Sequence, residues 1–218
     1  MSIGQLITLS GVDCSGKTTQ LELLAESCTD AGHRVKQVWF RPGYSQEMDL
    51  LRKVVRKASP STLPRHTKSK AREQVFAKSG VSESWVAMAL LDSFLQCACK
   101  VRIYLAQGYT VICDRFLKDA ELDLLLRFPN LQSIYKPSMW ALRALAPTPD
   151  HAILLNLPYE LLDARIVAKN EPFPDTEEVR IKRWQAYQDF SKTSQFEVVD
   201  ASQTIDKVHS DIKTRLGI

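Results

Sequence analysis

The sequence predicts an α/β protein in which a five-stranded parallel sheet is covered by helices on both faces and carries a small helical lid. The 218 residues suit one domain. Three observations carry this prediction. Short β-like runs alternate with longer helical patterns along the chain. The runs are apolar almost throughout, as strands covered on both faces are. A glycine-containing turn, GVDCSGKTT at Gly11 to Thr19, joins the first run to the first helical pattern.

The strands are expected at Leu6 to Ser10, Val35 to Trp39, Thr110 to Cys113, Ala152 to Leu157 and Phe196 to Val199. The main helices are expected at Lys17 to Ala31, Gln46 to Lys57, Ser82 to Gln107, Tyr159 to Lys169, Thr176 to Thr193 and Ile205 to Leu216. Gly32 and Gly108 stop the first and third of these, because glycine enters the left-handed C-terminal cap without steric cost. Shorter helices are expected between Lys118 and Arg127 and between Ser138 and Leu145. Two stretches break the pattern. Ala58 to Ala71, with two prolines and several basic residues, reads as a solvated loop. NEPFPD, Asn170 to Asp175, reads as the hinge of a lid over about residues 165 to 183.

Composition narrows the function classes. The chain is 44% hydrophobic and 25% charged, and its formal charge of +4 is spread along the sequence. That distribution favours anionic small molecules over a nucleic-acid groove, and no aromatic-basic stacking platform accompanies it. No charged n-region with a long apolar stretch precedes the first strand, so no signal peptide is expected. No apolar run approaches the roughly 18 to 20 residues that span a bilayer, so the expected location is cytoplasmic. The cysteines, Cys14, Cys28, Cys97, Cys99 and Cys113, form no CxxC pair and no zinc spacing with the histidines. Reduced, mostly buried thiols are expected.

The segment Gly11 to Thr19 fits GxxxxGK[ST] between a strand and a helix, the context that gives this motif its meaning. Gly11 and Gly16 let the backbone turn so that successive amide N–H groups face phosphate oxygens at a helix N-terminus, which makes Gly11, Cys14, Ser15, Gly16 and Thr19 candidate nucleotide-binding residues. Lys17 should reach the β and γ phosphates of ATP, and the Thr18 hydroxyl should bind Mg²⁺. The fold class becomes that of a P-loop NTPase, a three-layer sandwich. The strand YTVICDR then places Asp114 at its carboxyl end, where open α/β sheets bind ligands. Asp114 can hold the water shell of Mg²⁺ or orient the acceptor. Arg115 can offer its planar fork to a phosphoryl oxygen. Arg165 and Lys169, beside the proline hinge, are read as cations that close over the phosphoryl group. Arg180 and Arg183, on the helix beyond the hinge, are read as a solvated basic helix face, with lid cations as the alternative.

The order of motifs, GVDCSGKTTQ, FRPG, VICDRF, ILLNLP with LLDAR, and VVDASQTIDKVHSDI, resembles the thymidylate kinase family over nearly the whole chain. The resemblance implies an ATP- and Mg²⁺-dependent transfer to a small-molecule acceptor. It implies that Asp13 contacts the acceptor sugar, that Arg41 grips its phosphate, and that Asp200, Ala201 and Ser202 lie against adenine. Family members with a P-loop arginine carry it at the position of Cys14, so by analogy the catalytic cation here comes from the lid. It also implies a homodimer packed through long helices, although burial in its own core explains the apolar Trp85, Met88, Leu91, Phe94 and Leu95 equally well.

The acceptor face departs from the family. Where the family sets an aromatic and an arginine against thymine, a gap-free register places Ala89 and Ser93, with Asp92 between them. Trp85, one turn earlier, could supply a stacking surface or belong to the core. After the Asp-Arg pair, where the family has a serine, DRFLKDAELDLL brings Asp119, Glu121 and Asp123 into the acceptor neighbourhood. Carboxylates suit hydroxyl or amine donors better than a monophosphate. Two acceptors therefore stand open, thymidylate and a hydroxylated or sugar-like small molecule. The late strand ends Leu155-Asn156-Leu157-Pro158 without a base-reading Asn/Thr-Lys-x-Asp motif, which argues against a guanine-type switch.

Overall fold

The computed structural model describes residues 4–45, 48, 80–169 and 175–218. Five parallel strands form one sheet: β1 Leu6–Gly11, β2 Val35–Trp39, β3 Thr110–Asp114, β4 His151–Asn156 and β5 Glu197–Asp200, in the order β2-β3-β1-β4-β5. Every residue of β1 is buried. Side-chain alternation explains how the sheet serves two cores. On β3, Val111 and Cys113 enter a core with Phe40, Trp85, Val86, Tyr135 and Met139. Ile112, between them, enters the opposite core with Leu24, Leu162, Tyr187 and Ile212.

The helices are α1 Lys17–Asp30, α2 Val81–Ser93, α3 Val101–Ala106, α4 Leu117–Arg127, α5 Gln132–Leu145, α6 Tyr159–Lys169, α7 Glu177–Ser191 and α8 Ile205–Leu216. The sheet with helices on both faces is the architecture the sequence predicts, and the five strands shift by no more than a residue at either end. Two helices differ more. The expected Ser82 to Gln107 helix contains a π-helical stretch, Phe94–Lys100, between α2 and α3. Helix α5 begins six residues before Ser138 and carries Pro137 inside it, where a proline ordinarily marks a helix start. The expected helix from Gln46 falls outside the described residues except for Met48, as do the loop from Ala58 and the NEPFPD hinge up to residue 174.

Strand β1 has β3 on one side and β4 on the other, so its carboxyl end opens on a crevice where successive connections depart in opposite directions. Gly11 fills this turn for two reasons. Its φ is +145°, and a Cβ there would lie 2.8 Å from the Leu155 carbonyl oxygen of the neighbouring strand. Gly11→Ala is expected to cost about 2 kcal/mol of stability, the usual scale of backbone strain plus overpacking. Urea denaturation, read as a shift in midpoint at constant slope, checks this.

Among the described residues no helix is long and apolar enough to cross a membrane. The five cysteines are free thiols, with Cys28, Cys97 and Cys113 buried. Burial pushes the Cys113 thiol up to about 12, so it stays protonated.

Candidate active site

The loop after β1 enters α1 through Gly16, whose φ of 92° is left-handed, and among the described residues no side chain caps the helix start. Helices leave their first N–H groups without an intrahelical partner, so this end turns its donors toward the crevice. Cys14, in the middle of the loop, also has a positive φ, 62°. Residues with a Cβ rarely hold that conformation, and such strain gathers at functional sites. The position therefore asks something of the backbone, and the thiol has no part in explaining it.

A cavity of about 440 Å³ opens over this turn. Its lining includes Asp13, Cys14, Gly16, Lys17, Thr18 and Thr19 from the loop and α1, Trp39 and Arg41 from the end of β2, and Asp114 and Arg115 from the end of β3. Asp123 comes from α4, Arg165 from α6 and Arg183 from α7. Five cations thus converge on one polar cavity.

Lys17 is buried, and its ammonium donates to the carbonyls of Gly11 and Val12 at 3.0 and 2.7 Å. Burial pulls it down to about 8; the Arg115 guanidinium pulls the same way, and Asp13 and Asp114 oppose both. Lys17 is therefore protonated below pH 8 and loses its charge above it. The second-order rate with ATP is expected to fall above about pH 8. Saturating nucleotide should hold kcat flatter, since bound phosphates favour the charged lysine. Paired pH profiles of kcat/KM and kcat check both halves.

Arg115 is buried and held from two sides. Its backbone has φ 71°, and its N–H donates to the Leu9 carbonyl at 2.9 Å. One nitrogen of its fork meets Asp13 at 2.5 Å and the other donates to the Tyr187 hydroxyl at 2.8 Å. Burial opposes the Asp13 charge, but Arg115 and Lys17 outweigh it and hold the carboxyl well below the usual carboxylate range. Asp114, next in line, is raised by burial, with Lys17 and Arg115 pulling against it. Among the described residues its Oδ1 is buried without a hydrogen-bond partner, and so is the Ser15 hydroxyl. A buried carboxylate oxygen left unpartnered, on a residue that lines the same cavity as Thr18, fits a hydrated Mg²⁺ held with nucleotide phosphates. Among the described residues no group of three His, Cys, Asp or Glu could cage a metal, and a phosphate-held Mg²⁺ needs none.

Arg165 joins two parts of the site. It donates to the carbonyls of Cys14 at 3.4 Å and Ala201 at 3.2 Å. Ala201 lies in the turn after β5, where the Ser202 N–H and hydroxyl both donate to Asp200. Helix α6 thereby sets one guanidinium between the P-loop and the Asp200 to Ser202 turn. Lys169 ends the same helix, but its side chain lies outside the described ones.

Other expected residues lie elsewhere. Trp85, Ala89, Asp92 and Ser93 do not line this cavity. Trp85 is 3% exposed and packs edge-on against Tyr44, with its ring against Gly43; Ala89 and Ser93 are fully buried. Asp92 accepts from the Gly43 and Ser45 N–H groups and from the Ser45 hydroxyl, at 2.8, 3.2 and 2.5 Å, pinning the turn after Arg41. Asp119 is also filled by protein donors: the Ser10 hydroxyl at 2.7 Å, the Phe116 N–H at 2.9 Å and the Tyr187 hydroxyl at 2.5 Å. Glu121 pairs with Arg143 away from the cavity.

Arg183 corrects the expectation of a solvated face. It is buried, bridges Asp123 and Asp175, and is held charged by them against the cost of burial. Asp123 does reach the cavity, paired with Arg183. Arg180 pairs with Asp163 at 3.3 Å. Tyr187 and Trp39 had no signal in the sequence, because neither belongs to a motif and each is placed by its partner elements alone.

A glycine loop at a helix start, beside a strand that ends in Asp-Arg, defines a P-loop phosphotransferase. A family model described as thymidylate kinase matches residues 9–212. The chain is similar to a probable thymidylate kinase of Pyrococcus horikoshii, 28% identical over 96% of this chain and 94% of that one. It is also similar to thymidylate kinases of Rhodopirellula baltica, at 30% identity over 96% and 78% of the two chains, and of Geobacter sulfurreducens, at 29% over 83% and 76%. With nearly its whole length matched, the chain belongs to the thymidylate kinase family, enzymes that are ATP-dependent kinases.

Proposed function

We propose that this protein transfers the terminal phosphoryl group of ATP to thymidylate, giving dTDP and ADP. The observation that carries the reading is the convergence of Lys17, Arg41, Arg115, Arg165 and Arg183 on one cavity over the P-loop, in a chain of this family. The hydroxylated acceptor loses its support, because Asp119 is spent on protein donors while Ala89 and Ser93 are buried.

Transfer is in line, from the γ phosphorus to an acceptor phosphate oxygen, and needs no covalent enzyme intermediate. The P-loop amides and Lys17 cradle the β and γ phosphates. Arg41 grips the acceptor phosphate, and Asp13 meets the acceptor sugar. Arg115 stands where charge spreads over the equatorial oxygens, and Arg165 reaches over it from a lid of about residues 165 to 183. Thr18 and Asp114 would hold Mg²⁺, which supplies charge neutralisation at the phosphates when bound. The Asp200 to Ser202 turn lies against adenine. The whole chain forms one kinase domain acting in the cytoplasm. Leu91, Phe94, Leu95 and Ile103 are exposed along α2, the π-helical stretch and α3, which supports a homodimer packed through this face.

ADP release with dTMP, the other nucleoside monophosphates and a panel of polyols and sugars tests the reading, with Lys17→Ala as the blank. Turnover with dTMP is expected. ADP release with a polyol and with no nucleotide would sink the thymidylate assignment.

A further inference from the structure

Helices α4 and α7 meet through two polar rungs. Asp119 and Asp123 stand one turn apart on α4, and Tyr187 and Arg183 stand one turn apart on α7. Tyr187 donates to Asp119 at 2.5 Å, and Arg183 pairs with Asp123. Asp119 is 1% exposed and Tyr187 2% exposed, so neither group has water to fall back on. Each polar atom of the first rung is engaged. One Asp119 oxygen takes Tyr187; the other takes the Ser10 hydroxyl of β1 and the Phe116 N–H that opens α4. The Tyr187 oxygen, donating to Asp119, accepts from Arg115 at 2.8 Å. Asp119 also lies 3.7 Å from the same guanidinium.

We propose that Tyr187 and Asp119 are positioning residues that aim the Arg115 fork at the transferring phosphoryl group, so that α7 must be docked on α4 before Arg115 is set. Arg115 is held on one side by Asp13 in the P-loop and on the other by Tyr187. A phosphoryl oxygen competes for the Asp13 side, which is half exposed, whereas the Tyr187 side is sealed. The second rung keeps Tyr187 in place, since Arg183 on the same helix is clamped by Asp123 and Asp175. The pair thereby supplies the pre-organisation that a cation at a transition state requires, at no cost when charge develops. The proposal rests on the kinase reading of the site.

The test is a double-mutant cycle on Tyr187→Phe and Arg115→Ala, in which phenylalanine keeps the ring and the packing. Tyr187→Phe is expected to lower kcat about 10- to 100-fold, the scale of one hydrogen bond to a charged group, with both KM values within about threefold. In the Arg115→Ala background the same change is expected to do almost nothing. Full additivity would overturn the proposal, because a structural tyrosine lowers the rate whether or not Arg115 is present. A second readout needs no acceptor: the ¹⁵N-edited guanidinium resonances of the unliganded protein. Separate Arg115 Nη signals are expected in the wild type and averaged ones in Tyr187→Phe. Unchanged signals in the variant would overturn the proposal. If the wild type makes no dTDP, the thymidylate reading fails while the resonances still decide the positioning role.

Discussion

Replacing Arg115 by alanine is expected to lower kcat by about three powers of ten, the scale on which an arginine at a transferring phosphoryl group acts. The substitution removes the one fork that both reaches the cavity and is fixed from behind by Tyr187. Backbone strain does not confuse the result, since alanine at φ 71° is no freer than arginine there. Arg115→Lys separates charge from shape. A lysine keeps the cation and loses the planar fork, so most of the deficit is expected to remain. Steady-state kinetics beside thermal melts check that the loss lies in the chemical step and not in the fold.

The second large effect is on stability. Asp119→Ala is expected to cost about 3 to 5 kcal/mol, a large fraction of the roughly 5 to 15 kcal/mol that a domain of ordinary stability has in hand. The substitution strands the Ser10 hydroxyl, the Tyr187 hydroxyl and the Phe116 N–H together, all buried, and leaves Arg115 short of a nearby carboxylate. Orphaned buried donors cost more than the hydrogen bonds themselves contribute. Urea denaturation, read as a lowered midpoint with unchanged slope, checks the size. A surface carboxylate such as Asp189, paired with an equally exposed Lys192, is expected to give a change within about 0.5 kcal/mol and serves as the control.

These two residues also mark where sequence reasoning stopped. Arg115 was legible because its neighbours in sequence give it meaning: an apolar strand places Asp114 and Arg115 at a carboxyl edge, and the P-loop says which edge matters. The strands were legible for a similar reason, since burial on both faces leaves apolar runs with few alternatives. Asp119 was visible too, but its partners were not. Tyr187 lies 68 positions away on another helix, and no local pattern tells an acceptor waiting for substrate from one already filled by the protein. Arg183 was misread for the same cause. A helix face rich in charge looks solvated until the opposing helix is known to carry Asp123. Trp85 illustrates the converse, since a tryptophan at helical spacing serves stacking or core equally well, and only the approach of Gly43 and Tyr44 decides. Pro137 shows a local rule overridden: α5 runs through it because Tyr135, Met139 and Leu142 bury against the sheet-side core.

In the proposed reaction one site joins the γ phosphoryl group of ATP to the phosphate of thymidylate. The most direct measurement is the fate of label from [γ-³²P]ATP with dTMP and Mg²⁺, resolved by chromatography. Label in dTDP from the wild type, and none from Lys17→Ala, is the predicted result. Label in inorganic phosphate alone, at a rate indifferent to dTMP, would rule out transfer to thymidylate and leave a nucleotide hydrolase.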